Sequence, residues 1–328
     1  MESEELVMGL AGDVMIGRSV DPVIAKKGYS YVWGDVLTLL QRNDVNIINL
    51  ETTLTKSEKK VPKVFNFRAA PDKVQSLLDA RVTIANLANN HILDYGEEGL
   101  AETLQVLREA GIAFAGAGMN SGEAARAYVI RRKNFRLGVL GFTDNEPGWK
   151  AGLKNCGVNF IDVYEESDRR RALQDIARLR SESDLVLVSI HWGPNMQEEP
   201  PVEYIDFAHA MVDAGADIIH GHSAHIFQGI EVYRCKLILY DTGDFVDDYV
   251  VDPVLKNNHS FLFLVRAGRN GIDKLSLVPV LISNYQVNLA AGKDHQWCIN
   301  RVKSLSARFA TTINDDGEVV MRSEDALV

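Results

Sequence analysis

The chain has 328 residues, 46% hydrophobic and 24% charged, enough for a sizeable core. It has no run near the roughly 18 consecutive apolar residues that a bilayer-spanning helix needs. With 35 basic against 45 acidic residues the net charge is −10, which excludes a global basic field drawing the protein to nucleic acid or an anionic membrane. Cys156, Cys235 and Cys298 are odd in number and widely spaced, so they read as buried thiols, not as a disulfide framework or a structural zinc site. MESEELVMGLAGDV carries acid where a secretory signal would carry base, so a cytoplasmic protein without a membrane anchor is expected.

In chain order, short apolar runs alternate with segments of helical period. LVMGLAG (6–12), VNIINLE (45–51) and VTIANLAN (82–89) read as strands. Gly96–Ala110 follows as a helix, with Leu100, Leu104 and Leu107 at spacings of four and three. GAGMNSGEA (116–124) lacks phosphate-loop spacing and reads as a turn. RLGVLGF (136–142) is a further strand, Asp168–Arg180 a charged amphipathic helix, and LVLVSIHWG (185–193), ADIIHGH (216–222) and LILYDTG (237–243) are strands again. The alternation makes the fold class α/β. Residues 1–250 read as the catalytic domain. Residues 251–328, with FLFLVRAG, the turn signal GRNG and LSLVPVLISNYQVNL, read as a β-rich portion that completes the same domain through its second sheet.

Nearly every candidate strand ends in Asp, Glu, Asn or His, which a core strand does not need. Ligands of α/β folds bind beyond the carboxyl ends of strands, so residues distant in sequence converge there. The set comprises Asp13, Asn49, Glu51, Asn90, His91, His191, His222, His225, Asp241 and Asp244, together with the HGHSAH cluster that adds His220. Mixed imidazole, carboxylate and amide donors without cysteine point to a divalent ion such as Mn, Zn, Fe or Ca at a hydrolytic centre.

GDVMIGR (12–18), INLETTLT (48–55), FNFRAAP (65–71), NLANNHILDYGEEGL (86–100), IHWG (190–193), GADIIHGHSAHIFQGIEVY (215–233) and LYDTGDFVDDY (239–249) together resemble the CapA, or poly-γ-glutamate capsule-synthesis, family of the calcineurin-like metallophosphoesterase superfamily. The resemblance implies a two-sheet β-sandwich flanked by helices. It further implies metal on Asp13, Glu51, Asn90, His191, His222 and His225, with His91 as general acid. Where that superfamily commonly has Asp-x-His, this chain has Asp13-Val14-Met15, and a thioether is a poor ligand for a hard ion.

Asp94, three residues after His91, either orients that imidazole or caps the following helix. Asp244 is expected to pair with His220 or His222, making His91, Asp94, His220 and Asp244 the candidate acid–base groups. Arg18 and Arg68 are candidate anion-binding guanidiniums, and Trp192, His295 and Trp297 candidate groove residues. Three functions fit the pattern. One is a metal-dependent hydrolase of a phosphoester or a peptide or γ-glutamyl substrate. The second is a metal-dependent peptide Cα-epimerase using His/Asp pairs, and the third is a non-enzymatic component of polymer synthesis.

Overall fold

A computed structural model describes residues 5–269 and 271–321. Asn270 of the expected GRNG turn and residues 322–328 of the expected C-terminal portion lie outside the described residues. Two sheets face each other. The first runs in the order 286–289, 271–283, 259–268, 6–14, 45–50, 84–86 and 113–115, with 244–246 also paired to 6–14 and 318–319 to 271–283. The second runs 230–233, 236–239, 218–222, 185–191, 135–143 and 128–132. The α/β expectation and the flanked two-sheet sandwich hold.

Alternation along the strands builds three layers of packing, because successive side chains point to opposite faces. Leu6, Met8, Leu10, Val45, Ile47, Leu185, Leu187, Ile218, Leu237 and Leu239 meet between the sheets. Their neighbours Ile48 and Leu50 face the helices over the first sheet, where Leu100, Leu104 and Leu107 of helix Gly96–Glu109 pack. Val186, Val188, Ile190 and Ile219 face those over the second, Glu166–Glu182 and Val202–Asp213.

The C-terminal portion departs from expectation in two ways. Strand His259–Gly268 pairs antiparallel with Leu6–Val14, so the tail extends the first sheet, not the second. DHQW lies in helix Gly292–Ser306, where Trp297 packs on Phe227 and His259, so neither His295 nor Trp297 lines the large cavity at the strand ends. Cys298 is buried as expected, but Cys156 and Cys235 are only half-buried.

One irregularity positions the site. Ala11 pairs with Ile48 and Asp13 with Asn49, so Gly12 is an extra residue on its strand. Without that bulge Asp13 would face the helices; with it, Asp13 shares the inter-sheet face of Asn49. Gly12 also passes so close to the 241–244 turn that a Cβ there would lie 1.8 Å from the Gly243 carbonyl oxygen. Gly12→Ala is therefore expected to cost about 3 kcal/mol, the upper end of ordinary overpacking, read as a lowered midpoint in urea unfolding.

Candidate metal centre

At their carboxyl ends the inward-facing rows turn from apolar to polar: Asn49 follows Ile47, Ser189 and His191 follow Leu187, and His220 and His222 follow Ile218. The inter-sheet core thus ends in a buried polar chamber. His191 and His222 are paired across neighbouring parallel strands, with their Nδ1 atoms 3.0 Å apart. Asp13 Oδ1 lies 3.8 Å from each and accepts from Asn49 Nδ2 at 2.7 Å. On its other side Asp13 Oδ2 is 3.5 Å from His225 Nδ1, which is 2.9 Å from Asp244 Oδ1. Donors about 2.1 Å from one ion sit roughly 3.0 to 3.4 Å apart in octahedral or tetrahedral arrangements. These spacings are near that range. Among the described residues the two potential ligand groups are Asp13–His191–His222 and Asp13–His225–Asp244.

Glu51 stands between them and His91, its Oε1 3.8 Å from His91 Nε2 and 4.0 Å from His191 Nε2, while Tyr249 donates its hydroxyl to Oε2 at 3.2 Å. Asp13 Oδ2, Glu51 Oε1, Asn90 Oδ1, His191 Nε2 and Asp244 Oδ2 are buried without a hydrogen-bond partner. Five orphaned donor atoms from five separate segments in one chamber fit a divalent cation. Their surroundings fit it too, because an uncompensated buried carboxylate costs several kcal/mol, and Asp13, Glu51 and Asp244 have only histidines as ion-pair partners.

Protonation follows the same logic. Burial lowers His191 and His222 well below the usual imidazole range, leaving them neutral as ligands must be. Burial also opposes charge on His225, but Asp244, Glu51 and Asp13 outweigh it and raise His225 well above that range. Burial raises Asp13 to about 6, against the partial compensation of His225 and Asn49. Between the ordinary 3.8 and 6 the fold therefore binds the Asp13 proton more tightly than the unfolded chain does. Stability of the ion-free protein falls as pH rises through that window, and above it the full penalty remains for a cation to relieve. An ion at about 100 times its Kd should raise the melting temperature by roughly 5 °C. The rise is expected to be larger at pH 7.5 than at pH 5.5, and scanning calorimetry checks both.

His91 occupies a different environment. Its Nδ1 is 2.6 Å from Asp94 Oδ2, its ring stacks on Phe67 at 3.6 Å, and its Nε2 is left toward Glu51. Asp94 also accepts from Phe67 N and pairs with Lys63, so it orients His91 and does not cap the helix, whose N-terminal residue is preceded by Tyr95. Burial holds His91 down to about 4 despite Asp94. Asn90 lines the cavity beside His91, and its backbone carbonyl accepts from Lys63.

Three expectations are corrected. His220, one inward position deeper than His222, is buried between the Ser189 and Thr242 hydroxyls, 3.4 and 3.3 Å away, and does not meet Asp244. Asp244 pairs instead with His225. Arg68 donates to the Ser57 carbonyl and lies over Tyr95, outside the cavity lining. Trp192 follows the inward-facing His191, so it points away and packs under the second sheet, donating to the Tyr240 carbonyl at 2.9 Å. Met15 is buried in the core under the helices and leaves the metal chamber to other donors. Arg18 does line the cavity, ion-paired with Asp248 and lying over Phe65 and Phe67.

The supporting contacts around these donors escaped the sequence reading, as did Asn89 itself. Asn89 donates to Asn49 Oδ1 and the Leu50 carbonyl, and its Oδ1 accepts from His91 N, locking the Asn-His turn to the neighbouring strand. Asp241 receives Ala224 N and Gly243 N, both at 2.7 Å, and so ties the turn carrying His225 to the turn carrying Asp244. Ser223 and His225 are held there at φ of 120° and 60°, a strain of about 1–3 kcal/mol each that the clamp sustains.

The chamber opens into a cavity of about 1160 Å³ lined by His91, His225, Phe67 and Tyr249 among others. Residues 7–249 match the family described as Bacterial capsule synthesis protein PGA_cap. The chain belongs to that family. The probable polyglutamine synthesis accessory protein Rv0574c of Mycobacterium tuberculosis is 31% identical, over 93% of this chain and 92% of its own. The capsule biosynthesis protein CapA of Bacillus anthracis is 31% identical over 86% of this chain and 68% of its own. The PGA biosynthesis protein CapA of Bacillus subtilis is 30% identical over 84% and 71%. Among solved structures, sulfate thiohydrolase SoxB of Thermus thermophilus is similar over 87% of this chain and 56% of that one, at 12% identity and a TM-score of 0.47. No helix among the described residues is long and apolar enough to cross a membrane.

Proposed function

We propose that this PGA_cap protein is a metal-dependent hydrolase acting on a phosphoester or on a peptide or γ-glutamyl bond. The observation that carries this reading is the joining, in one cavity, of orphaned carboxylate, imidazole and amide donors to a His91–Asp94 pair. Asp13, Glu51, Asn90, His191, His222, His225 and Asp244 would hold the metal. A divalent ion supplies Lewis acidity and a water nucleophile ionised near neutral pH. His91 Nε2, fixed by Asp94 and the Phe67 ring and unprotonated at neutral pH, faces the cavity, where it would take a proton from the attacking water and pass it to the leaving group. Arg18 holds an anionic part of the substrate at the cavity wall. Three free thiols are consistent with action in the cytoplasm.

A second reading, a peptide Cα-epimerase, is favoured by one feature. His91–Asp94 and His225–Asp244 are two imidazole–carboxylate pairs whose rings line the same cavity, as two-base proton transfer requires. Binding assays with poly-γ-glutamate, which the resemblance implies, and with the polyglutamine in the name of the Mycobacterium tuberculosis relative test a role as an accessory component. Turnover that depends on added metal and disappears with a chelator supports the hydrolase, and polymer binding without any turnover contradicts it.

A further inference from the structure

Two loops flank the cavity mouth and expose large apolar side chains: Val64 and Phe65 at 89% and 57% on one, Val250 and Val254 at 92% and 79% on the other. Neither loop is loosely held. Val61 N donates to the Asp94 carbonyl at 2.9 Å, and Asn66 reaches back to the Val61 carbonyl. Across the mouth, Asp252 accepts from Val254 N and Leu255 N, and Asn257 closes the loop onto Asp252 N and the Val250 carbonyl. Exposure is thus built in.

The same segments, KSEKKVPKVF (56–65) and VVDPVLK (250–256), hold five lysines against two acids in a chain of net charge −10. Lys59 and Lys63 have carboxylate partners, while Lys56 and Lys60 are exposed to solvent. A substrate confined to the cavity would reach Val64, Phe65 and Val250, but Val254 is not part of the cavity lining. Only an extended surface covers both loops. Two apolar tips with lysines concentrated beside one of them suit the interface of an anionic bilayer, where the tips enter the headgroup region and each lysine near the surface adds attraction.

We propose that these loops dock the protein peripherally on an anionic lipid surface and turn the cavity mouth toward it. The test is co-sedimentation with phosphatidylcholine vesicles, with and without phosphatidylglycerol, at low and high salt. Wild type is expected to bind the phosphatidylglycerol vesicles and to release in salt. The triple variant Val64→Ser, Phe65→Ser, Val250→Ser, verified as folded by circular dichroism, should bind about tenfold more weakly, as should Lys56→Glu, Lys60→Glu. Absence of vesicle binding, or binding unchanged in both variants, overturns the proposal. So does a triple variant whose only defect is a raised KM for a soluble peptide, which would assign the apolar rim to the substrate.

Discussion

Replacing His222 by alanine is expected to remove ion binding at the Asp13–His191–His222 group while leaving the fold standing. His222 lies at the end of a central strand, fully buried, 3.0 Å from His191 and 3.8 Å from Asp13. Its loss takes one neutral donor from the Asp13–His191–His222 group and leaves the remaining pair too few to retain an ion. Affinity measured by calorimetric titration should fall at least 100-fold, beyond the 10- to 100-fold typical of removing an outer partner. His220→Ala is the contrast. His220 touches Ser189 and Thr242, whose hydroxyls keep His222 and the Gly221 carbonyl as partners, so its replacement should lower stability by roughly 2–5 kcal/mol through the cavity left by a fully buried ring, and leave metal stoichiometry unchanged.

The second large effect belongs to His91. Replacing it with asparagine should lower turnover by roughly 10²- to 10⁴-fold, the scale of a lost proton-transfer group, with metal content nearly intact. Asp94→Asn should fall between wild type and His91→Asn, because it releases the ring while leaving Nε2 in place. Metal lost in parallel with activity would make His91 a ligand instead.

Much of this site was legible because polar residues at the ends of apolar runs have no place in a core. Alternation carries more than strand content: His191 and Trp192 are consecutive residues, so one inward face excludes the other, and Trp192 has to be packing. The same period of two sets His220 about 6.6 Å deeper than His222. Asp13 shows the opposite limit. Counted by alternation it faces the helices, and only the bulge at Gly12, set by contacts with the distant 241–244 turn, brings it inward. Pairing partners were equally hidden, since nothing in FLFLVRAG says that it lies against Leu6–Val14. The Asp244–His225 pair depends on the Asp241 clamp between two turns, a tertiary feature that spacing does not encode.

The central claim, hydrolysis at a metal centre, is tested most directly by mass spectrometry of phosphoester and γ-glutamyl peptide substrates incubated with metal-loaded protein in D₂O enriched in ¹⁸O. Hydrolysis predicts cleaved products that carry one solvent ¹⁸O and no deuterium at the α-carbon, absent in His222→Ala. An uncleaved peptide that gains one α-deuterium, and loses that exchange on replacement of His225 or Asp244, would contradict the account and make those residues half of a two-base epimerase.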